Sequence, residues 1–369
     1  MRKKELFKII LGMALLAGPA LAEEAAPAAS DKLNVTWGGF IDAYYGYDFN
    51  VPQGVDRTLV TGSPFSTTFD RSNEFNINIA MIEAKVSSDK VRGRLALQTG
   101  TSVQTNYAGE SAGLGLIKGP LPAELIQEAS VGYQVGKDVW VDAGIYPSHI
   151  GFEGFNSRDN WTYTRSLMGD FSPYYQAGVR LSAQFSPEFS GQLHLLNGWQ
   201  NIYETNQNKA VGMELSYSTD PLTLTYNNFI STEVGNQLRF FNDFILKFPL
   251  TSSFQVGASA DIGLQDKVAG GLSNWYAGAF FLHLQATSDF ALTARLEGYQ
   301  DKDQVIVTTG TPNGFTLGGA SLNGDLALSK NLTWRNEARL LFAEDGIFQG
   351  SNGPTTTDFF LVSSYGLSF

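Results

Sequence analysis

Three histidines, His149, His194 and His283, are the residues of this chain best suited to proton transfer or metal binding, and there is no cysteine to join them. Scattered imidazoles without thiols give none of the ligand spacings of a zinc site. No serine stands in a recognisable nucleophile motif near any of the three, so the pattern of an acyl-transfer triad is missing. Asp301, Asp303 and nearby oxygens could hold Ca²⁺, but such clusters are common on solvated loops. The residues point to a chain that is not an enzyme and takes no cofactor.

The charged residues carry more information. Arg92, Arg94, Arg180, Lys247, Arg295, Arg335 and Arg339 fall on the polar face of strand-like segments, and so do Asp42, Asp142, Glu214, Asp243, Asp261, Glu297 and Glu337. Balanced charge on one face of a strand wall suits a water-filled lumen that sets which ions pass. It also suits pairing between neighbouring strands. Segment 147–173 gathers His149, Glu153, Arg158, Asp159, Arg165 and Asp170 around Trp161, Tyr163 and Phe171. Folded into a lumen, Glu153, Asp159 and Asp170 would face a basic wall of Arg92, Arg94, Arg335 and Arg339. That constriction would carry a transverse field and disfavour large apolar solutes. Folded outward, the segment would only cover the mouth.

Strands must position these groups. Val91, Gly93, Leu95 and Leu97 alternate with Arg92, Arg94, Ala96 and Gln98. Phe290, Leu292, Ala294 and Leu296 alternate with Ala291, Thr293, Arg295 and Glu297. Period two, apolar towards lipid and polar towards a lumen, is the signature of a transmembrane β-strand. Short turns near 87–90, 136–138, 186–188, 218–221, 251–253, 287–289 and 329–331 are rich in turn formers. Between them lie longer polar segments at 49–73, 103–124, 147–173, 198–209, 231–239, 263–275, 301–314 and 343–357. Short and long connections alternate throughout, which gives fifteen connections and predicts an all-β, up-and-down antiparallel barrel of about 16 strands. A soluble sandwich, propeller or solenoid also alternates apolar and polar residues, but no repeat of fixed length appears.

The ends fit a secreted protein. Arg2, Lys3, Lys4 and Lys8 precede a short apolar run from Ile9 to Ala17, and Ala20-Leu21-Ala22 has the form of a cleavage site. Residues 1–22 therefore read as a signal peptide, 23–34 as a periplasmic linker and 35–369 as a single barrel domain. The formal net charge of −11 becomes −14 once the first 22 residues, net +3, are removed, which argues against nucleic acid as a partner. Without cysteines, disulfides supply no order; a closed barrel does, because every backbone group pairs with a neighbouring strand. Phe359, Leu361, Tyr365, Leu367 and the terminal Phe369 share a face, as a C-terminal strand read by outer-membrane assembly machinery would. Trp37, Tyr45, Tyr133, Trp140, Tyr146, Trp334 and Tyr365 fall near predicted strand ends, where aromatic girdles sit.

Several stretches resemble the outer-membrane β-barrel porin family called OmpL-like. They are Gly39-Phe-Ile-Asp-Ala-Tyr-Tyr-Gly-Tyr-Asp-Phe-Asn50, Asn73-Glu-Phe-Asn-Ile-Asn-Ile-Ala80, Val91-Arg-Gly-Arg-Leu-Ala-Leu-Gln-Thr-Gly100, Asp142-Ala-Gly-Ile-Tyr-Pro-Ser-His-Ile-Gly-Phe-Glu153, Ser172-Pro-Tyr-Tyr-Gln-Ala-Gly-Val179 and Leu196-Asn-Gly-Trp-Gln200. The similarity is densest from Gly39 to about Phe229. It implies a barrel in the bacterial outer membrane and supplies no substrate. The expected function is passive diffusion of small hydrophilic solutes and ions, with both termini periplasmic. The expected partners are outer-membrane lipid, the barrel assembly machinery through Phe369, the diffusing solutes and, in one open arrangement, two further copies in a homotrimer. A substrate-specific channel, or a structural or adhesive barrel with a closed lumen, are the alternatives.

Overall fold

The computed structural model describes residues 32–110 and 123–369. The signal peptide and almost all of the linker expected above lie outside them. The first strands are β1 (Asn34–Asp48), β2 (Glu74–Ser87), β3 (Val91–Thr99), β4 (Ile126–Gly136), β5 (Val139–Pro147) and β6 (Tyr175–Gln184). There follow β7 (Phe189–Leu196), β8 (Ala210–Ser218), β9 (Thr223–Thr232), β10 (Leu238–Pro249), β11 (Phe254–Asp266) and β12 (Leu272–Gln285). The chain ends with β13 (Phe290–Asp301), β14 (Phe315–Ala327), β15 (Leu332–Ala343), a small hairpin of β16 (Phe348–Gly350) and β17 (Gly353–Thr355), and β18 (Thr357–Ser368). Each barrel strand pairs antiparallel with its sequence neighbour, and β18 pairs with both β15 and β1. Setting the hairpin aside, this is a closed 16-stranded barrel, and closure leaves no sheet edge.

The register puts Phe40 opposite Ser368, so the described N-terminus and the C-terminus lie at the same, short-turn end. The long connections gather at the other end. Two of them are shorter than the polarity of the sequence suggests: only 233–237 separates β9 from β10, and only 267–271 separates β11 from β12. The ladder continues through polar residues there because the backbone pairs whatever the side chains face.

Leu95, Leu97, Leu296, Leu340, Phe359 and Leu361 are exposed on the outside of the wall, while Asp42, Asp142, Asp243, Arg295, Glu297, Arg335, Glu337 and Arg339 are buried on the inside. Trp37, Tyr133 and Tyr365 are exposed on the outer surface, as a girdle requires. Trp140 and Tyr146 are not. They share the parity of Asp142 on β5 and point inward, where the guanidinium of Arg92 lies over Trp140 and that of Arg180 over Tyr146. A ring close to a strand end can face either side; only the pleat decides.

The inside is less uniformly polar than the alternation suggests. A buried apolar cluster includes Phe241, Trp275, Phe281, Tyr299, Phe315 and Leu341 on the inner face of β10 to β15. Leu59, Phe65, Leu167, Met168, Val307 and Phe348, from the long loops, cover it. The barrel therefore holds a hydrophobic core of its own at the long-loop end.

Candidate channel constriction

Loop 148–174, the third long connection, runs into the barrel. A hydrogen bond from Ser148 N to Tyr174 O (2.9 Å) closes its root. His149 then crosses to the wall, with Nδ1 2.9 Å from Gln176 Oε1 on β6 and Nε2 2.9 Å from the Asn228 carbonyl on β9. Burial lowers the basicity of the His149 ring. Gly151 N donates to Asp243 on β10 (2.8 Å). Phe152 stacks on Phe281 of β12, and Trp161 stacks on His283 of the same strand. Two wall glycines make this approach possible. A Cβ on Gly212 would stand 2.5 Å from the His149 ring, and one on Gly257 would stand 2.6 Å from Phe152.

Ionic groups on β13 and β15 hold the middle of the loop. Arg295, fully buried, donates from Nη1 to Thr162 Oγ1 and Thr164 O, both at 2.6 Å. Its Nη2 reaches Glu337 at 3.1 Å. Glu337 in turn accepts from Thr164 N (2.6 Å), and Glu297 accepts from Leu167 N (2.7 Å). Buried carboxylates are satisfied here by backbone donors as well as by guanidinium groups, which their burial requires.

The eight residues expected to form a constriction fall into three groups. Arg335 and Arg339 touch the loop or hold its anchor: Arg335 donates to the Ser157 and Asn160 carbonyls, and Arg339 holds Glu297 at 2.8 and 2.9 Å. Glu153, Arg165 and Asp170 are buried inside the packed loop. Glu153 accepts from Ser166 and lies 3.6 Å from Arg295, on the far side from Arg92 and Arg94. Burial pushes its carboxyl above the usual range although Arg295 pulls the other way. Asp170 takes Thr67 N (3.0 Å) and Thr67 Oγ1 (2.7 Å) from loop 49–73, and burial raises it too, against the pull of Arg339 and Arg165. Arg165 bonds Thr67 and the Phe155 carbonyl, with its guanidinium over Tyr174. Asp159 faces open space, and Arg92 and Arg94 are partly exposed, paired with Asp142 and with Glu83 and Glu128.

These last three border a cavity of about 300 Å³ between the loop and the β2–β4 wall, or lie just below it. Its lining includes Lys85, Arg94, Phe155, Asn156, Arg158 and Asp159. Lys85 and Arg158, their partner Glu83, and Glu128, which pairs with Arg94, were not among the eight. Lys85 shares the parity of Glu83 on β2, a signal present in the sequence; Arg158 needed the path of the loop. Arg94 Nε lies 2.7 Å from Glu83 and its Nη1 2.5 Å from Glu128. Lys85 is 3.3 Å and Arg158 3.8 Å from Glu83. Arg92 and Arg180 both hold Asp142, at 2.5 and 3.2 Å. Exposure divides by sign. The side chains of Lys85 and Arg92 are 57% and 38% exposed, whereas Glu83 and Asp142 are 7% and 3% exposed. Asp159, at 56%, is the acid that faces the water.

The barrel has known counterparts. No curated protein matches the chain in sequence. Among solved structures it resembles the anion-selective porin from Comamonas acidovorans (11% identity, 92% of this chain and 100% of that one, TM-score 0.60). It also resembles the outer membrane channel DcaP of Acinetobacter baumannii (11% identity, 94% and 100%, TM-score 0.61). A third is the trimer form of OmpT, an outer membrane protein of Vibrio cholerae (8% identity, 92% and 100%, TM-score 0.60). At these identities the likeness is one of fold. In sequence, the family model described as "Putative beta-barrel porin-2, OmpL-like" matches residues 34–369, well past Phe229, where the resemblance by motif thins. The chain belongs to that family, and it is an outer-membrane porin channel.

Proposed function

We propose that solutes cross between loop 148–174 and the β2–β6 wall, and that the passage weakly prefers anions. The observation that carries this is the division of exposure by sign: cations stand in front and most of their acids lie behind them against the wall. A passing ion meets the guanidinium and ammonium groups first, and focused charge in a low-dielectric passage biases partitioning. In this reading Asp159, Arg92 and Arg94 act at the passage together with Lys85 and Arg158. Glu153, Arg165, Asp170, Arg335 and Arg339 position the loop. The anion-selective porin among the structural relatives points the same way. No catalytic step is invoked.

The test is single-channel conductance of the refolded chain in a planar bilayer, with the reversal potential read in a salt gradient. Steady conductance with a modest anion preference is expected, and Arg92→Ala with Arg94→Ala should move it towards cations. Inserted barrels without conductance, or a selectivity that the two substitutions leave unchanged, would refute the assignment.

The same reading takes residues 1–22 as a cleaved signal peptide, 23–34 as a linker and 35–369 as one barrel domain, with both termini periplasmic and Phe369 engaging the assembly machinery. A homotrimer is the proposed assembly, in keeping with the trimer form of OmpT; the mass of the detergent-solubilised protein by light scattering decides it.

A further inference from the structure

The passage carries a second regularity, which rests on the route proposed above. Each of the two cavities along the β2–β7 wall sets one or more cations, at least partly exposed, beside a half-buried aromatic ring. In the first, of about 300 Å³, Lys85, Arg94 and Arg158 stand by Phe155. In the second, of about 280 Å³ and nearer the short-turn end, Arg92 stands by Trp140 among Ser182, Gln184, Ser190 and Gln192, with the exposed carboxylate of Asp138 at the rim. The Arg92 guanidinium carbon is 4.4 Å from the Trp140 ring centroid, and its fork is fixed by Asp142 at 2.7 and 2.5 Å. Arg94 and Arg92 lie two residues apart on the same face of β3, about 7 Å at strand spacing.

We propose that the channel binds small aromatic carboxylates at these two stations and passes them from one to the other. The cations take the carboxylate. The free face or edge of the ring beside them takes the flat apolar body by stacked or edge-to-face contact. Both volumes sit at the lower limit of small-molecule sites and so favour a compact solute. Because each cation is already partly neutralised by a buried acid, binding is transient, as flux requires. The hydroxyl and amide fringe of the second station keeps the rest of the solute hydrated.

The probes are benzoate, benzyl alcohol and acetate, compared by current block in single channels and by calorimetry on the detergent-solubilised full chain. Benzoate should interrupt the current in a concentration-dependent way, with benzyl alcohol and acetate about fivefold weaker or more. Trp140→Leu and Lys85→Ala should each weaken benzoate by about fivefold, while Trp140→Phe retains it. Acetate as effective as benzoate would overturn the role of the rings, and benzyl alcohol as effective would overturn the role of charge. An open channel with no benzoate binding overturns the inference and leaves the porin route standing. Benzoate binding to a barrel that does not conduct would uphold the stations and overturn the route.

Discussion

Glu83 is where the charge of the passage balances, so neutralising it tests the proposed route most directly. Its carboxylate takes Arg94 at 2.7 Å, Lys85 at 3.3 Å and Arg158 at 3.8 Å. Arg94 also holds Glu128 at 2.5 Å, and Arg158 lies 3.7 Å from Asp159. Three cations thus meet three acids. Glu83→Gln keeps the shape and an acceptor oxygen for Arg94 but leaves one positive charge in excess. A unit charge about 6 Å from a passing ion is worth ~0.7 kcal/mol in water. Screening in about 0.1 M salt, with a Debye length of about 10 Å, reduces this to ~0.4 kcal/mol. The excess charge attracts an anion and repels a cation by that amount, so the anion-to-cation permeability ratio should rise about fourfold. In about 1 M salt, where the Debye length is about 3 Å, the rise should be less than about 1.5-fold. The reversal potential of the substituted channel, measured across a salt gradient at both ionic strengths, reads the ratio. A ratio that does not move at low salt, or moves towards cations, would refute the placement of the solute path beside Glu83.

Two further outcomes concern the loops. Arg57, fully buried in loop 49–73, holds Asp48 at 2.9 Å and Asp358 at 2.6 Å, with its guanidinium over Phe65, Phe69 and Phe360. Arg57→Ala strands two buried carboxylates at a cost of about 3–5 kcal/mol. Limited proteolysis should then cut within 49–73 while the barrel persists, and a loop that stays protected would contradict the anchoring role. Burial holds the Glu153 and Asp170 carboxyls above their ordinary values of 4.5 and 3.8, so their protonation favours the packed loop. That contribution is complete below the ordinary values and is lost as pH rises through the raised ones. Open-channel current noise should therefore fall between neutral pH and about pH 4, and Glu153→Gln should flatten the dependence; noise that grows on acidification would show the opposite sign.

The barrel was legible because its two signals are local. Alternation marks each strand, and turn residues mark every second connection, so the count of 16 and the closed topology follow without knowledge of long-range contacts. The parity of Arg92, Arg94, Arg295, Arg335 and Arg339 likewise fixes the face they occupy. What parity does not fix is which loop atoms arrive opposite that face. Arg295 and Arg335 share it, yet both are consumed by carbonyl and hydroxyl groups of loop 148–174 that carry no charge pattern to read. Arg57 is a lone charge in a polar loop, and only the fold brings Asp48 and Asp358 to it from opposite ends of the chain. Trp140 and Tyr146 misled for a related reason, since nearness to a strand end is a sequence property and direction is a pleat property.

The apolar lining of β10 to β15 explains why the loop can be charged in sequence and still pack. Phe241, Trp275, Phe281, Tyr299 and Phe315 would be an unfavourable surface for a wet lumen, and a sheet that is apolar on both faces needs a second layer on the inside. Loop 148–174 and its neighbours supply it, with Phe152, Trp161, Leu167, Met168 and Phe171 turned to the wall. Glu153, Arg165 and Asp170 are then caught in that layer and must be satisfied within it. On the other side the apolar cover is smaller, a cluster of Ile79, Met81, Ala96, Val103, Tyr107 and Tyr175, and beside it the β2 to β6 wall presents its partly exposed cations. Substitutions can therefore be sorted by wall. Changes at Lys85 and Arg158 should alter which ions enter at little cost to packing, because those side chains are partly in water and only loosely paired, whereas Arg92 and Arg94 also hold the buried acids Asp142, Glu83 and Glu128. Changes at Arg295, Glu297, Glu337 and Arg339 leave a buried charge unpaired and act on selectivity only by releasing the loop. The asymmetry lets one wall vary with the solute while the other keeps the fold.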